Sequence, residues 1–436
     1  MSIESKLGRW DLTMMVVSFV LGVGIFFTPS YIAAKAGTPF IFYASWIIGG
    51  FVSVCGALTF AEIGSRLPAA GGYYRIFSNC YHPAFAFMAN LAVVVINAGS
   101  AVAVALVGAE YIKPVIIPAE WQATMSTTVI AFIILTILFV LNYAGIKMGS
   151  RVQNLLSGLK IAMVLLLCLA VFGNKGTVNP SVTIHQSATT AIASLGLCLV
   201  PVFFTCGGYQ NTINMGADIK NAQRNIPLAI FGGMFIIISL YLMINIAYVQ
   251  VIGFESLKSK QLLASELTKS FFGDTGFKIT SIIVFTSVLG FLNASLMSNP
   301  RVFYAMAEDK ILPDIFKKVN SKTQTQAFGL SLFFLIILTT LFFIKDKDKL
   351  INYITFIDNL ALAFATITVF ILRKRMKEVT YTGYHIRLFP LIPLIFIVVL
   401  LFVCVNIFIS NMAEALTGLA IFLGAFPLYL LLKKIS

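Results

Sequence analysis

LGVGIFFTP, residues 21–29, lies inside the first long apolar run of the chain, which extends from about residue 12 to residue 36. Two glycines spaced one apart, followed by Pro29, are unfavourable in the interior of a helix. In hydrocarbon, each unpaired backbone N–H or C=O costs several kcal/mol unless it is buried in protein or faces a wet cavity. Two interpretations stay open. One is a discontinuous helix whose second half begins near Ile25 and presents its first N–H groups to an anionic ligand. The other is a glycine-rich face for close helix packing.

The composition is that of a polytopic membrane protein. Hydrophobic residues make up 59% of the chain and charged residues only 11%, and the mean hydropathy is +0.93. Apolar runs of about 20 residues predict membrane-spanning helices. They predict twelve spans, at residues 12–36, 40–64, 84–111, 122–142, 152–173, 188–214, 227–252, 277–305, 327–344, 350–372, 388–410 and 414–432.

The net charge of +14 is explained by the position of the basic residues. With twelve spans and a cytoplasmic N-terminus, every arginine falls in a cytoplasmic segment. The arginines are Arg9, Arg66, Arg75, Arg151, Arg224, Arg301, Arg373, Arg375 and Arg387. This is the positive-inside pattern. It predicts a multi-pass protein of the cell membrane with both termini in the cytoplasm, in contact with lipid and not with nucleic acid.

Nothing in the sequence favours an enzyme. The three histidines are far apart in sequence, the six cysteines have no metal-site spacing, and no HExxH, GxSxG or P-loop pattern is present. We therefore predict no catalytic residues, no metal and no cofactor.

A second interrupted run lies in the sixth predicted span, at PVFFTCGGYQN, residues 201–211. As in the first run, a pair of glycines, here Gly207 and Gly208, is expected near the middle of the membrane. The polar residues Thr205, Gln210 and Asn211 lie nearby in the sequence. Two interrupted helices separated by five spans are the sequence sign of an inverted-repeat transporter. We therefore expect one transmembrane domain over residues 1–436, with repeats at 11–173 and 186–373 and two accessory helices at 386–434. The central site lies between the two breaks.

The chain resembles the amino acid–polyamine–organocation superfamily, and is most similar to its L-type amino acid transporter branch and the bacterial relatives of that branch. The resemblance covers nearly all of residues 10–375. The matching segments are residues 22–26, 57–62 with 71–73, 204–209, 225–230, and 301–304 with Leu312-Pro313. It implies an all-α LeuT-type fold of five plus five inverted spans plus two extra helices, working by alternating access.

The same resemblance implies the substrate contacts. The backbone around Gly22, Val23, Gly24 and Ile25 would hold a substrate carboxylate, and backbone oxygens around Phe203 and Phe204 would hold its ammonium. Phe204 would also be an aromatic gate, while Gly207 and Gly208 leave room for the substrate side chain. Val23 departs from the family, which often has serine there. This removes a hydroxyl but leaves the backbone donors.

Lys160 is too deep in its span to be a surface residue. It lies nine residues past Arg151, or about 13 Å along a helix axis, near the middle of a core of about 30 Å. An intramembrane lysine is a functional candidate by default, although a lysine bonded to helix-end carbonyls is also a purely structural solution. In sodium-independent members that the chain resembles, a lysine of the fifth span replaces a coupling sodium ion. Lys160 matches that position, which implies no sodium requirement.

Asp358 is the second deep charge, about eight residues inside the tenth span. The resemblance places it beside the substrate side chain, where neutral amino acid carriers often have an amide. It could accept a cationic or hydroxyl-bearing side chain, carry a proton, or simply pair with a polar neighbour such as Asn359.

Two further acidic residues lie near the ends of predicted spans. Glu62 is expected to meet Arg66 one helical turn on, and Glu110 is expected to be solvated, with an outer-gate role as the alternative.

Together these features predict a secondary active transporter of amino acids, sodium-independent, working as an exchanger or proton-linked symporter, with neutral substrates favoured. A cationic amino acid or polyamine carrier using Asp358, a channel, a membrane enzyme and a transport-fold sensor are the alternatives. The predicted outer loops contain no cysteine. We therefore expect no disulfide-linked ancillary subunit of the kind that animal members of the family use.

Overall fold

The computed structural model describes residues 5–173, 188–259, 263–273, 275–343, 347–376, 381–410 and 412–435. Within these ranges the chain is almost entirely helical, and its β pairing is confined to two isolated bridges, Leu7–Ile219 and Ala70–Met215. The protein is therefore an all-α protein, as predicted.

The helices of the first half are numbered in chain order. They are α1 Arg9–Val20, α2 Thr28–Ala36, α3 Pro39–Arg66, α4 Gly72–Cys80, α5 Pro83–Ile116, α6 Ala119–Gln122, α7 Thr127–Tyr143 and α8 Ile146–Gly173. Those of the second half are α9 Ala188–Cys206, α10 Ala222–Ile252, α11 Phe254–Leu257, α12 Leu263–Phe272, α13 Thr275–Ser298, α14 Pro300–Glu308, α15 Ala327–Phe343, α16 Lys347–Arg375, α17 Leu391–Ser410 and α18 Met412–Ile435.

Many of these helices have the length and composition of membrane spans. In the described part of the chain, eight are long and apolar enough to cross a membrane, and three shorter apolar helices accompany them. Each of the twelve predicted spans coincides with a helix or a pair of helices. The fourth span begins at Thr127 rather than residue 122, because Ser126 caps α7 by accepting the Thr128 N–H at 3.2 Å. The fifth begins at Ile146 rather than residue 152. The protein is a multi-pass membrane protein, while the number of crossings remains a prediction.

The first predicted break is present, but the second half-helix begins later than expected. After α1 ends at Val20, residues 21–23 are unwound and Gly24–Phe26 form a single 3₁₀ turn. The α-helix resumes at Thr28 rather than Ile25. Pro29 sets this boundary, because proline is tolerated in the first turn, where its missing N–H leaves no bond unmade.

The second break separates α9, which ends at Cys206, from a 3₁₀ segment at Tyr209–Asn214. Gly208 between them has φ +113°, and a Cβ there would lie 2.7 Å from the carbonyl oxygen of Phe19. Glycine is required for both reasons. The close approach also places the unwound part of the second broken helix directly against α1.

The two breaks lie at the centre of the bundle. Helix α1 packs against α8, α10 and α13, and α9 packs against α2 and α3. Helix α16 packs against α3, α5, α17 and α18. The discontinuous first and sixth predicted spans are thus enclosed by other helices, where irregular backbone is tolerated within a membrane. The division of the chain into repeats at 11–173 and 186–373 remains a prediction.

Candidate functional site

A central cavity of about 160 Å³ lies between the two helix breaks. The first break contributes Gly22, Val23 and Gly24 to its lining, and the second contributes Gly207 and Gly208. Phe203 from α9 and Asp358 from α16 also line it. Seven of the residues predicted at a substrate site therefore surround one cavity.

The backbone of the first break leaves donors available. The N–H groups of Phe26 and Phe27 donate to the carbonyl oxygens of Val23 and Gly24 at 3.0 and 3.1 Å. By contrast, the N–H groups of Val23, Gly24 and Ile25 donate to no acceptor within the described residues. Consecutive unpaired N–H groups are suited to an anion such as a carboxylate.

Two of the predicted substrate-binding residues, Ile25 and Phe204, have no described side chain in the cavity wall. Ile25 is fully buried and is absent from the cavity wall, so its predicted contact with the substrate remains a prediction. The backbone of Phe204 belongs to α9, but its side chain lies outside the described part of the structure. Its predicted role as a gate remains a prediction.

Thr205 fixes the two broken helices to each other. Its hydroxyl is 3.0 Å from that of Thr28 at the start of α2 and 2.8 Å from the carbonyl oxygen of Pro201. A Cβ on Gly24 would lie 3.1 Å from the Thr205 hydroxyl oxygen. Glycine at position 24 therefore allows the 3₁₀ turn to rest against α9.

Asp358 joins the cavity to the second break through Gln210. The Gln210 side-chain amide donates to Asp358 Oδ2 at 3.5 Å, while its carbonyl oxygen accepts the Gly208 N–H at 2.9 Å. The polar neighbour of Asp358 is thus Gln210 rather than Asn359, which lines the same cavity. The carboxylate faces a site where it can meet a ligand.

Lys160 is fully buried and lies on the carbonyl end of α1, outside the cavity lining. Its Nζ donates to the carbonyl oxygens of Leu21 at 3.0 Å and Ser18 at 3.2 Å. These carbonyls carry the partial negative charge of a helix C-terminus. The amino group of Lys160, covalently attached to α8, therefore already occupies these carbonyl oxygens at the place where α1 unwinds.

The ammonium of Lys160 fits into a space that Gly290 on α13 leaves open. A Cβ at Gly290 would lie 2.6 Å from Lys160 Cε and 2.9 Å from Nζ. Next to it, the hydroxyls of Ser18 and Ser157 are 2.6 Å apart, which fixes α1 to α8. The lysine is therefore held in one position by three helices.

Tyr241 on α10 is a second link between the broken helices. Its hydroxyl lies 2.7 Å from the carbonyl oxygen of Val20, at the end of α1, and 3.1 Å from that of Thr205 in α9. A phenol has one proton to donate, so the two carbonyls share it. Both breaks thus depend on the same side chain of α10.

A buried ion cluster surrounds Glu62 at one end of the bundle. Its carboxylate accepts from Arg66 Nε at 2.7 Å, from Arg373 Nη2 at 2.6 Å and from the Ile386 N–H at 2.8 Å. The predicted contact of Glu62 with Arg66 is confirmed, and Arg373 of α16 is an additional partner.

Near this cluster, Tyr381 donates to the Ser65 hydroxyl at 2.6 Å, and burial raises the pKa of Tyr381. Glu110, by contrast, is exposed.

Sequence reasoning missed several residues of the site. Tyr241, Gly290 and Asn97, which lines the cavity, are ordinary in their local sequence, and only the packing of distant helices gives them a function. Gln210 was noted in the sequence as a polar residue beside the glycine pair. Its contact with Asp358, 148 residues further along the chain, cannot be inferred from the local sequence.

The comparison with known proteins agrees with this architecture. A family model described as amino acid permease matches residues 7–429. The chain belongs to the amino acid permease family. As such a permease it has the LeuT-type fold with discontinuous first and sixth helices, and it is a transporter and not an enzyme.

Relatives of this permease are amino acid transporters from bacteria and animals. The serine/threonine exchanger SteT of Bacillus subtilis is 28% identical, over 99% of this chain and 98% of its own length. The human large neutral amino acids transporter small subunit 2 is 25% identical, over 99% of this chain and 81% of its own. The human Asc-type amino acid transporter 1 is 23% identical, over 99% and 82%.

Proposed function

We propose that this permease exchanges small neutral amino acids across the cell membrane without sodium. The substrate would bind in the central cavity, with its carboxylate on the N–H groups of the first break and its ammonium at the carbonyl end of α9. The observation that carries the proposal is the convergence of the two breaks on one cavity. Amino acids bring one negative and one positive group, and the cavity offers unpaired donors on one side and a helix C-terminus on the other.

The size of the cavity favours a small substrate. Sites for drug-sized ligands measure about 300–1,000 Å³, and a cavity of about 150 Å³ is filled by benzene. The central cavity has about 160 Å³. Serine, threonine and alanine are therefore our first candidates. This choice agrees with the name of the serine/threonine exchanger among the relatives.

Sodium independence is supported by Lys160. Its ammonium takes up the carbonyl oxygens of Ser18 and Leu21, which would otherwise be suitable ligands for a hard cation. A buried sodium ion at the same carbonyls would meet an unfavourable like charge. Lys160 would thus brace the first broken helix from α8 in place of a coupling ion.

The proposal also covers the orientation of the chain in the membrane, its partners and its conformational change. Both termini would lie in the cytoplasm because the arginines cluster at one end of the spans, and the chain would act without a disulfide-linked partner. In this it would differ from relatives whose names include the words "small subunit". The two halves would rock around the cavity as inverted repeats, with Phe204 as the gate.

A cationic substrate is the second candidate, and Asp358 is the observation that favours it. This carboxylate lines the cavity, and its contact with Gln210 is long, at 3.5 Å. A lysine-like or polyamine substrate would place its charged end there. With a neutral substrate, the same oxygen accepts a side-chain hydroxyl.

The test is uptake of a panel of labelled amino acids and polyamines into proteoliposomes, with and without unlabelled amino acid inside. We expect saturable uptake of serine, threonine or alanine that requires internal amino acid. Preferential uptake of arginine or a polyamine would establish the second candidate. No uptake by folded protein would favour a sensor.

A further inference from the structure

A second cavity lies on the other side of α16. Its volume is about 220 Å³. Helix α16 contributes Ile357, Leu360, Ala361 and Phe364 to its wall, a spacing that marks one face of a helix. Asp358, Asn359 and Leu362 line the central cavity instead. At about 100° per residue, the two sets project in nearly opposite directions, so α16 is the partition between the cavities.

Every described residue that lines this second cavity is apolar. Besides α16 and α4, it is formed by Phe85, Ala89 and Ala92 of α5 and by Leu419 and Phe422 of α18. The nearby backbone carbonyl of Phe364 is occupied, since it accepts the Tyr81 hydroxyl at 2.8 Å. The described residues therefore offer a ligand contacts with hydrocarbon and aromatic faces, and none of them offers a polar anchor.

Water is a poor occupant of such a space. A buried water needs two to four polar partners, and an apolar cavity of about 150 Å³ stays dry and takes up benzene or xenon. Protein interiors are otherwise close-packed. A cavity of about 220 Å³ whose described lining is apolar is therefore suited to an apolar guest.

The bilayer is the nearest source of that guest. Helix α18 is peripheral, and Leu416, Leu423 and Phe426, which lie on the same face of α18 as the cavity-lining Leu419 and Phe422, are exposed. In a membrane protein these side chains contact lipid. The lining of the cavity thus continues into the surface that contacts the acyl chains around the protein.

We propose that this cavity, between α4, α5, α16 and α18, holds the terminal part of one acyl chain of a bilayer lipid. The acyl chain packs against Ile357, Leu360 and Ala361, on the face of α16 turned away from Asp358. It fills the space behind the helix that carries Asp358, and so supports this wall of the central cavity. This inference does not depend on which substrate the permease carries.

Photolabelling tests the proposal on the wild-type protein. The protein is reconstituted into phospholipid liposomes that contain a phosphatidylcholine with a diazirine at the end of one acyl chain. After illumination, labelled residues are mapped by tandem mass spectrometry. We expect label on the buried residues Ile357 and Ala361 in addition to exposed Leu423 and Phe426. Label confined to the exposed positions would overturn the proposal.

A filled variant provides the specific control. Ala89→Leu with Ala92→Leu adds two isopropyl groups to the cavity, and label on Ile357 and Ala361 is expected to fall several-fold while label on Leu423 stays. A substitution on the opposite, exposed face of α18, Ile421→Ala, should leave the label on Ile357 and Ala361 unchanged. Undiminished label on these residues in a folded filled variant would contradict the proposal. If the filled variant does not fold, the wild-type labelling pattern decides.

Discussion

The ammonium nitrogen of Lys160 lies 3.0 Å from the carbonyl oxygen of Leu21, 139 residues earlier in the chain. This contact occurs where α1 ends and the first break begins. A helix ending inside a membrane leaves carbonyl oxygens that need donors. Lys160 supplies one to Leu21 and one to Ser18, so the stability of the break and the position of α8 are linked.

Gly290→Ala tests whether the position of Lys160 matters. The new methyl group would lie 2.6 Å from Lys160 Cε, so the lysine must move away from the α1 carbonyls. We expect the exchange rate to fall at least about tenfold, which corresponds to about 1.4 kcal/mol. The measurement is initial uptake rate per folded protein in proteoliposomes.

Gly158→Ala is the matched control for this substitution. Position 158 is on α8, two residues from Lys160, and a Cβ there would meet no atom within 4 Å. It should leave transport unchanged, since alanine is favoured over glycine in a helix. Equal rates in both variants would remove the packing of Lys160 from the mechanism.

Tyr241→Phe tests the link between the two broken helices. Removal of the hydroxyl leaves the carbonyls of Val20 and Thr205 without this donor, at a cost of about 1–3 kcal/mol. We expect slower exchange and a lower unfolding temperature in detergent. Tyr248→Phe is the control on the same helix, because the Tyr248 hydroxyl is buried without a partner in the described structure. The account would be contradicted if the two variants behaved alike.

Asp358→Asn tests the role of the carboxylate in the cavity. The amide keeps the shape and a contact with Gln210 but loses the negative charge. We expect a change in substrate preference or in the pH dependence of uptake, measured as competition by a panel of amino acids from pH 5 to pH 8. Asp314→Asn, at an exposed carboxylate paired with Lys317, should change neither. If both properties are also unchanged in Asp358→Asn, Asp358 is structural.

Glu62→Gln tests the ion cluster at the end of α3. Loss of the carboxylate leaves Arg66 and Arg373 close together without their shared counter-charge, and breaking such a buried pair costs about 3–5 kcal/mol. We expect a marked fall in the unfolding temperature. Glu255→Gln breaks the more exposed contact with Lys258 and should have a small effect. A similar small effect in Glu62→Gln would show that the cluster does not stabilise the fold.

Much of the fold was predictable from the sequence because membrane insertion imposes long apolar runs. The glycine pairs and Pro29 marked both breaks, and the depth of Lys160 in its span marked it as unusual. The start of the second half-helix at Thr28 was not predicted, since glycine-rich segments allow either a 3₁₀ or an α turn.

The contacts that other helices make with the two breaks were less predictable. Tyr241 and Gly290 acquire their roles only when α10 and α13 pack against α1, and no period or spacing in their own segments signals such a contact. The apolar cavity behind α16 depends likewise on how four helices separated in sequence meet. Side-chain size alone does not reveal a space that the packing leaves unfilled.

The role of Lys160 in place of sodium is measured by the exchange of labelled serine, as a function of external sodium, in proteoliposomes loaded with unlabelled serine. The wild-type rate should be the same when sodium is replaced by choline, and Lys160→Ala should nearly abolish exchange. Leu159→Ala, at an exposed neighbour on α8, should exchange normally. A wild-type rate that rises with sodium, or an unimpaired Lys160→Ala, would rule out this role of Lys160.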